Sequence, residues 1–216
     1  MQPLDIITIS ILLFLLILLT ISGYIELYIH NKSLLKIPTR IHVNGTRGKS
    51  SVTRLIAAGI RESGLKTYAK TTGTTPRIID NKGNDIELHR LRSASIGEQI
   101  KLIRYFSKYK PDVLILECMA VNPQYQWVSE HKIVKSTLGV ITNVSADHLD
   151  EMGTTLRDIA LSLSNTIPFN SKVITSEKNT LTPLKEVAEN RNTEIIISDE
   201  VVGQNYMDEL PFIEHP

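Results

Sequence analysis

Cysteine is almost missing from this chain: Cys118 is the single one among 216 residues. A lone thiol excludes an intramolecular disulfide framework and fits a reducing compartment. An excess of either charge is missing too. Lys and Arg number 24 against 23 Asp and Glu, for a net charge of +1. There is no basic field of the kind that holds nucleic acid, so nucleic acid is not an expected partner. No internal repeat and no low-complexity tract is visible. What remains, 42% hydrophobic and 22% charged residues, suits one globular domain with a substantial core plus an extra segment.

Charge is absent altogether from Ile6 to Ile25. As a helix that run would be about 30 Å long, the thickness of a bilayer's hydrocarbon. Ile11–Leu19 is apolar all round, without a polar stripe, and Tyr24 and Tyr28 fall where interfacial aromatics are favourable. A cleaved signal peptide would want a basic start and a small-residue cleavage site, and neither is present. A buried core helix is the plainer alternative. Lys32, Lys36 and Arg40 follow the run and no basic side chain precedes it. By the positive-inside rule the expectation is a single-pass anchor in the cell membrane with the body cytoplasmic.

After Pro38, strand and helix patterns alternate. Arg40–Asn44 reads as a strand, Ser50–Ser63 as a helix, and Lys66–Lys70 as a strand. Arg77–Asp80 and Asp85–Arg90 flank a hairpin turn at Asn81-Lys-Gly-Asn84. Helix-period residues cover 96–109, and Val113-Leu-Ile-Leu is a continuous apolar run of the sort buried on both faces in a parallel sheet. Further strands are expected at 137–144, 172–175 and 194–198, with helices at 154–165 and 183–190 and weak helical character over 123–133. The predicted fold class is α/β, a mostly parallel sheet preceded by one transmembrane helix. The predicted division is 1–38 anchor and joint, 39–200 nucleotide-binding domain, and 201–216 an incomplete C-terminal segment.

Between the first of these strands and its helix stands Gly45-Thr-Arg-Gly-Lys-Ser50. Glycine-rich turns of this kind let backbone N–H groups close around phosphate oxygens, while the lysine adds charge and the Ser hydroxyl can serve Mg²⁺. The common spacing would put a further glycine at Val43, so the loop is a tighter variant. An ordinary glycine turn is the plain alternative. Gly45, Thr46, Arg47, Gly48, Lys49, Ser50 and Ser51 are the candidate phosphate binders, and ATP with Mg²⁺ is the expected cofactor pair. Ligands of parallel sheets sit beyond the strands' carboxyl ends. Glu117 follows one apolar run and Ser145-Ala-Asp-His148 follows another, so Glu117 and His148 are candidates to meet Lys49 and Ser50 there. Taken singly, Glu117 reads equally as a surface acid and His148 as a capping or buried histidine. Histidine is moreover unusual for Mg²⁺, which prefers oxygen.

Gly45-Thr-Arg-Gly-Lys-Ser50, Glu117 and Thr142-Asn143 with Asp147-His148 together resemble the central domain of Mur-type ATP-dependent amide ligases. Further words are similar to one branch, the ligase subunits of poly-γ-glutamate synthase (the CapB/PgsB type). They are Lys70-Thr-Thr-Gly-Thr74, Ile96-Gly-Glu-Gln99, Glu117-Cys-Met-Ala-Val-Asn-Pro123, Asp147-His-Leu-Asp-Glu-Met-Gly153 and Ile167-Pro168. The resemblance covers essentially the whole chain. It implies a ligase that activates a terminal carboxylate as an acyl phosphate for attack by the amine of glutamate, in capsule synthesis. Its implied partners are glutamate, poly-γ-glutamate, the bilayer and sister membrane subunits. Lys49, Glu117 and His148 would be catalytic, with Ser50, Glu117 and His148 at the metal. Thr72 and Thr74 would lie near substrate, and Arg77 and Arg92 could bind carboxylates through their guanidinium forks, although surface arginines are the plainer reading.

Two departures stand out. Leu163 occupies the position where many such ligases carry a carbamylated lysine, which puts a second Mg²⁺ held in that way in question. Mur-type ligases also continue beyond this length, and Val201–Pro216 resembles nothing that would replace the remainder. The expectation is a truncated chain with poor ATP turnover of its own. A non-catalytic membrane scaffold and a different P-loop ATPase or kinase are the competing functional readings.

Overall fold

The computed structural model describes residues 3–73, 75–89 and 95–198. Eight strands form one sheet: β1 (Thr39–Asn44), β2 (Thr67–Thr71), β3 (Arg77–Ile79), β4 (Asp85–Glu87), β5 (Val113–Glu117), β6 (Leu138–Ile141), β7 (Lys172–Thr175) and β8 (Glu194–Ile197). Their spatial order is β4-β3-β2-β5-β1-β6-β7-β8. All pairings from β2 to β8 across that order are parallel, and β3 at the edge pairs antiparallel with both β2 and β4. β5 shows why: Val113 and Ile115 pack against one face's core while Leu114 and Leu116 pack into the other. A strand apolar on both faces requires cover on both.

Helices supply that cover. α1 is Pro3–Leu34, α2 Lys49–Glu62, α3 Gly97–Ser107, α4 Pro123–Val128, α5 Leu149–Met152, α6 Leu156–Leu163 and α7 Leu181–Asn190. The 123–133 region resolves into α4 followed by a π-helical segment, Ser129–Val134. α2 covers one face through Val52, Ile56, Ala57 and Ile60. On the other, α3 contributes Leu102, Ile103 and Phe106. Thr155 caps α6 by a reciprocal capping box with Asp158, as its position before an apolar helix suggests. Leu163 is fully buried in an apolar cluster with Ile159, Ile167 and Leu184.

The end of α1 belongs to this body. His30, Ser33 and Leu34 are buried, and the His30 Nε2 lies 2.8 Å from the Ile133 carbonyl. Arg40 locks the junction by donating to the carbonyls of Ile37 (2.6 Å), Val134 (3.2 Å) and Lys135 (2.8 Å). From Ile7 to Ile29 α1 is exposed. Among the described residues it is one helix long and apolar enough to cross a membrane, over Ile7–Leu34, and its most apolar stretch is buried nowhere. That run is therefore no part of the core that the described residues form.

Candidate nucleotide site

At the carboxyl end of β1 the chain turns through two glycines with positive φ, Gly45 (137°) and Gly48 (75°). A Cβ on Gly45 would stand 2.0 Å from Thr142 Oγ1, so the loop can pass this close to the β6 end only without a side chain. Gly48 is the N-cap of α2 and offers no side-chain cap. The first helical bond runs from the Val52 amide to the Gly48 carbonyl. The N–H groups of Lys49, Ser50 and Ser51 are thus left without intrahelical acceptors, as at any helix start, and an anion is their natural partner.

The loop after β6 holds the glycine loop in shape. Thr46 Oγ1 donates to Asn143 Oδ1 (2.6 Å), the Arg47 amide donates to the same oxygen (3.0 Å), and Thr142 Oγ1 donates to the Arg47 carbonyl (2.7 Å). The Ser145 amide donates to Thr46 Oγ1 (3.0 Å). Glu177, just beyond β7, accepts from the Val144 amide at 2.9 Å and from those of Asn179 and Thr180. Burial works to raise its pKa, but these amides together hold it below the usual carboxylate range.

Ser50 and Glu117 meet across the crevice between β1 and β5. Ser50 Oγ donates to Glu117 Oε2 at 2.7 Å, and the Thr72 amide donates to the same oxygen at 2.7 Å. Lys49 lies on the loop, donating to the carbonyls of Gly45 (2.7 Å) and Thr46 (3.2 Å). The oxygen pair suits a hard cation. Two neighbouring ligands of an octahedral Mg²⁺ with bonds of 2.0–2.1 Å stand about 3 Å apart, so Ser50 and Glu117 need to open by only a few tenths of an ångström. Among the described residues no group of three or more His, Cys, Asp or Glu could hold an ion, and an ion here would depend on phosphate and water for its other ligands. Mg²⁺ is commonly held in that way.

The other candidates are less gathered. His148 stands on the loop that braces the phosphate loop, in the left-handed conformation (φ 45°) at the start of α5. It is exposed, with Nε2 3.9 Å from Asp147, and Asp147 is itself 3.4 Å from Arg47. Ser51 is exposed in the first turn of α2. Arg77 is engaged on the edge hairpin with Asp85 (2.6 Å) and Glu87 (3.8 Å). Thr74, Arg92 and the segment 201–216 lie outside the described residues.

Several site-building groups escape sequence reasoning. Lys70, fully buried at the end of β2, is 3.1 Å from Glu98. Gln99 donates to the Glu117 carbonyl (3.4 Å) and accepts from Ser129 (2.6 Å). The words around Lys70, Gln99 and Glu117 are thus one cluster in space. Beside them, Ser95, Ile96, Met119, Asn122, Tyr125 and Glu151 line a cleft of about 550 Å³. Asn143 and Glu177 had a usable signal, since each follows an apolar strand.

Residues 43–207 match the description Mur ligase middle domain. Capsule biosynthesis protein CapB of Bacillus anthracis is 39% identical over 204 residues, 93% of this chain and 44% of that protein. PGA synthase CapB of Bacillus subtilis (strain 168) is 35% identical over 199 residues, 91% of this chain and 51% of its own length. The chain therefore spans about half the length of the curated relatives it matches. A bifunctional folylpolyglutamate synthase/dihydrofolate synthase from Yersinia pestis, solved with AMPPNP and a Mn ion, shares the fold. Its TM-score is 0.62 at 18% identity, over 81% of this chain and 46% of that one. With an α/β sheet of this order, a glycine loop braced by the β6 end and a match covering most of its length, the chain belongs to the Mur ligase middle-domain family.

Proposed function

We propose that this chain supplies the ATP-binding, carboxylate-activating part of a membrane-anchored amide ligase that makes poly-γ-glutamate. The observation that carries this is the convergence at one crevice of an uncapped helix start, Lys49 and the Ser50–Glu117 pair. The relatives named CapB, one of them a PGA synthase, give the substrate class.

In the reaction, a terminal carboxylate oxygen attacks the γ-phosphorus of ATP. The bond between that phosphorus and the bridging oxygen breaks, and ADP leaves with the electron pair. The glutamate amine then attacks the acyl carbon. A C–N bond forms, phosphate departs, and the amine loses a proton. Both reactants of the first step are anions, so their repulsion is the barrier the site has to lower. The amides of Lys49, Ser50 and Ser51 and the Lys49 ammonium face that charge. Mg²⁺, when bound through Ser50 and Glu117, adds divalent screening of the phosphates. His148, accessible on the bracing loop, is assigned to the same phosphate-facing side. The cleft beside Glu117 is assigned to the polymer end.

The membrane reading draws support from α1, whose apolar length is exposed while its last turns are part of the core. Removing that helix by cleavage near its end would expose Leu34 and Ile37. The body is assigned to the cytoplasmic side, where ATP is available.

Hydroxylamine tests the chemistry by capturing an acyl phosphate as a hydroxamate. Membranes carrying the full-length ligase that contains this chain should form polymer hydroxamate only with ATP and Mg²⁺, and Lys49→Ala should abolish it. Transfer of label from the γ-phosphate to a protein or sugar, with no hydroxamate, would replace this reading with a kinase.

A further inference from the structure

We propose that the amino edge of the sheet is a lipid-docking surface, seated on the anionic headgroups of the leaflet that α1 enters. The proposal rests on the reading of α1 as a membrane span and adds to it a second, electrostatic contact.

Topology sets the geometry. α1 passes into β1 through Leu35–Pro38 alone, so β1 begins at the helix junction. The strands β2, β5, β1, β6, β7 and β8 are parallel, and all of them start on this same edge. The nucleotide loop lies at the opposite edge. The segments leading into the strands carry exposed lysines: Lys36 before β1, Lys66 before β2, Lys108 and Lys110 before β5, and Lys132 and Lys135 before β6. Lys135 also donates to Asn31 of α1 (3.0 Å), which ties this edge directly to the entering helix. The acids on the edge are fewer or occupied. Glu26 pairs with Arg104 and Glu194 with Lys172, Asp112 accepts from the Lys66 amide, Glu130 lines the cleft below but is buried against His42, and Glu62 and Glu189 remain. Since the whole chain has a net charge of only +1, this is a segregation of charge and not a general basicity.

Apolar groups accompany the lysines. Leu35 is 86% exposed beside Lys36 and Phe169, just before β7, is 53% exposed. Phe169 packs at a tilt against His131 (4.9 Å) and His131 against Trp127 (5.1 Å), with Lys132 over the Trp127 ring (5.2 Å). Together they border a cleft of about 390 Å³ that Lys135 also lines. Lysines with exposed aromatics beside a membrane-entering helix match the chemistry of an anionic headgroup layer. A soluble polyanion would offer nothing to Leu35 and Phe169.

Trp127 is the single tryptophan, so a Trp127→Phe, Phe169→Trp chain carries one reporter at the outermost aromatic. The full chain is placed in vesicles of phosphatidylcholine, with or without about a third phosphatidylglycerol, containing a headgroup-attached quencher. Carbonate extraction reports insertion of α1 separately. The expected result is an inserted chain whose reporter is quenched at least about twofold more in anionic vesicles, with the difference lost in about 0.5 M salt. It should also be lost in Lys36→Glu, Lys108→Glu, Lys132→Glu, a variant that spares the Lys135–Asn31 bond. An inserted chain quenched equally in both vesicles, or not at all, overturns the docking surface and leaves the anchor standing. Extraction of the chain by carbonate overturns both.

Discussion

At Gly45 a single methyl group decides whether the phosphate loop exists. With φ at 137° and Thr142 Oγ1 2.0 Å from where a Cβ would go, Gly45→Ala must either strain the backbone or push the β6 end away. We expect it to cost about 2–4 kcal/mol and to abolish nucleotide binding, read by thermal unfolding in detergent and by titration with an ATP analogue. Gly59 is the internal control. It is exposed in α2 with nothing within 4 Å of a built Cβ, so Gly59→Ala should stabilise by roughly 0.5–1 kcal/mol. Glu117→Gln preserves volume and an acceptor for Ser50 and Thr72 but removes the charge. Calorimetric titration should show Mg²⁺-dependent nucleotide binding weakened on the order of 10–100-fold at nearly unchanged stability. An unaltered Mg²⁺ requirement would take Glu117 out of the metal site. Lys49, Ser50 and Glu117 were legible because loop chemistry and strand ends leave local signatures. The amide of Thr72 reaching Glu117 left none, since a backbone donor has no residue identity. The exposed His148 shows the converse: a strand-end position brings a side chain to the right edge without bringing it into contact.

Between elements, the most consequential contact is one that an apolar strand conceals. His42 in the middle of β1 and Glu130 in the π segment are both buried, with Nδ1 and Oε2 2.7 Å apart. Glu130 also accepts from the amide (2.8 Å) and hydroxyl (2.9 Å) of Ser136. Burial works against a charged imidazole, but the neighbouring Cys118 and Glu130 side chains outweigh it and hold the pKa of His42 up to about 10. The unfolded value is about 6.5, so between the two the native state binds the extra proton. This contribution to stability is complete below about pH 6.5 and is lost as pH rises toward 10. Unfolding midpoints should fall steadily from pH 7 to 9, with a loss of roughly 2–3 kcal/mol. Glu130→Gln should cost about 3–5 kcal/mol at neutral pH and flatten that slope; a wild-type curve already flat over this range would mean the pair is not ionised. In sequence His42 is only a polar interruption in Ile-His-Val-Asn, and its partner is far along the chain. Strands were readable because continuous apolar runs are distinctive, and the β3–β4 hairpin because Asn81-Lys-Gly-Asn84 is turn chemistry. The π segment and the four-residue α5 were not, since neither sustains a periodic pattern long enough to detect.

For the molecule as a whole, alternating strands and helices indicated a parallel sheet, but nothing local put β5 between β2 and β1. That insertion is what aligns Glu117 with Ser50, and it follows from how helices on both faces close over the sheet. The same topology separates the two functions of the fold. α1 enters at the amino edge and the phosphate loop opens at the other, about 20 Å away for a strand of this length. On the proposed function, nucleotide and polymer end would meet clear of the headgroups while the anchor holds the body against the leaflet. The arrangement makes a labelling prediction. Cys118 is only 2% exposed, so the native thiol should be silent to a charged, membrane-impermeant maleimide, and single introduced cysteines can be read against it. Lys185→Cys, exposed on α7, should react only after the cells are permeabilised, whereas Gln2→Cys should react on intact cells. If Lys185→Cys labels on intact cells, the body faces outward, away from the ATP pool, and a ligase reading built on Lys49, Ser50 and Glu117 loses its energy source.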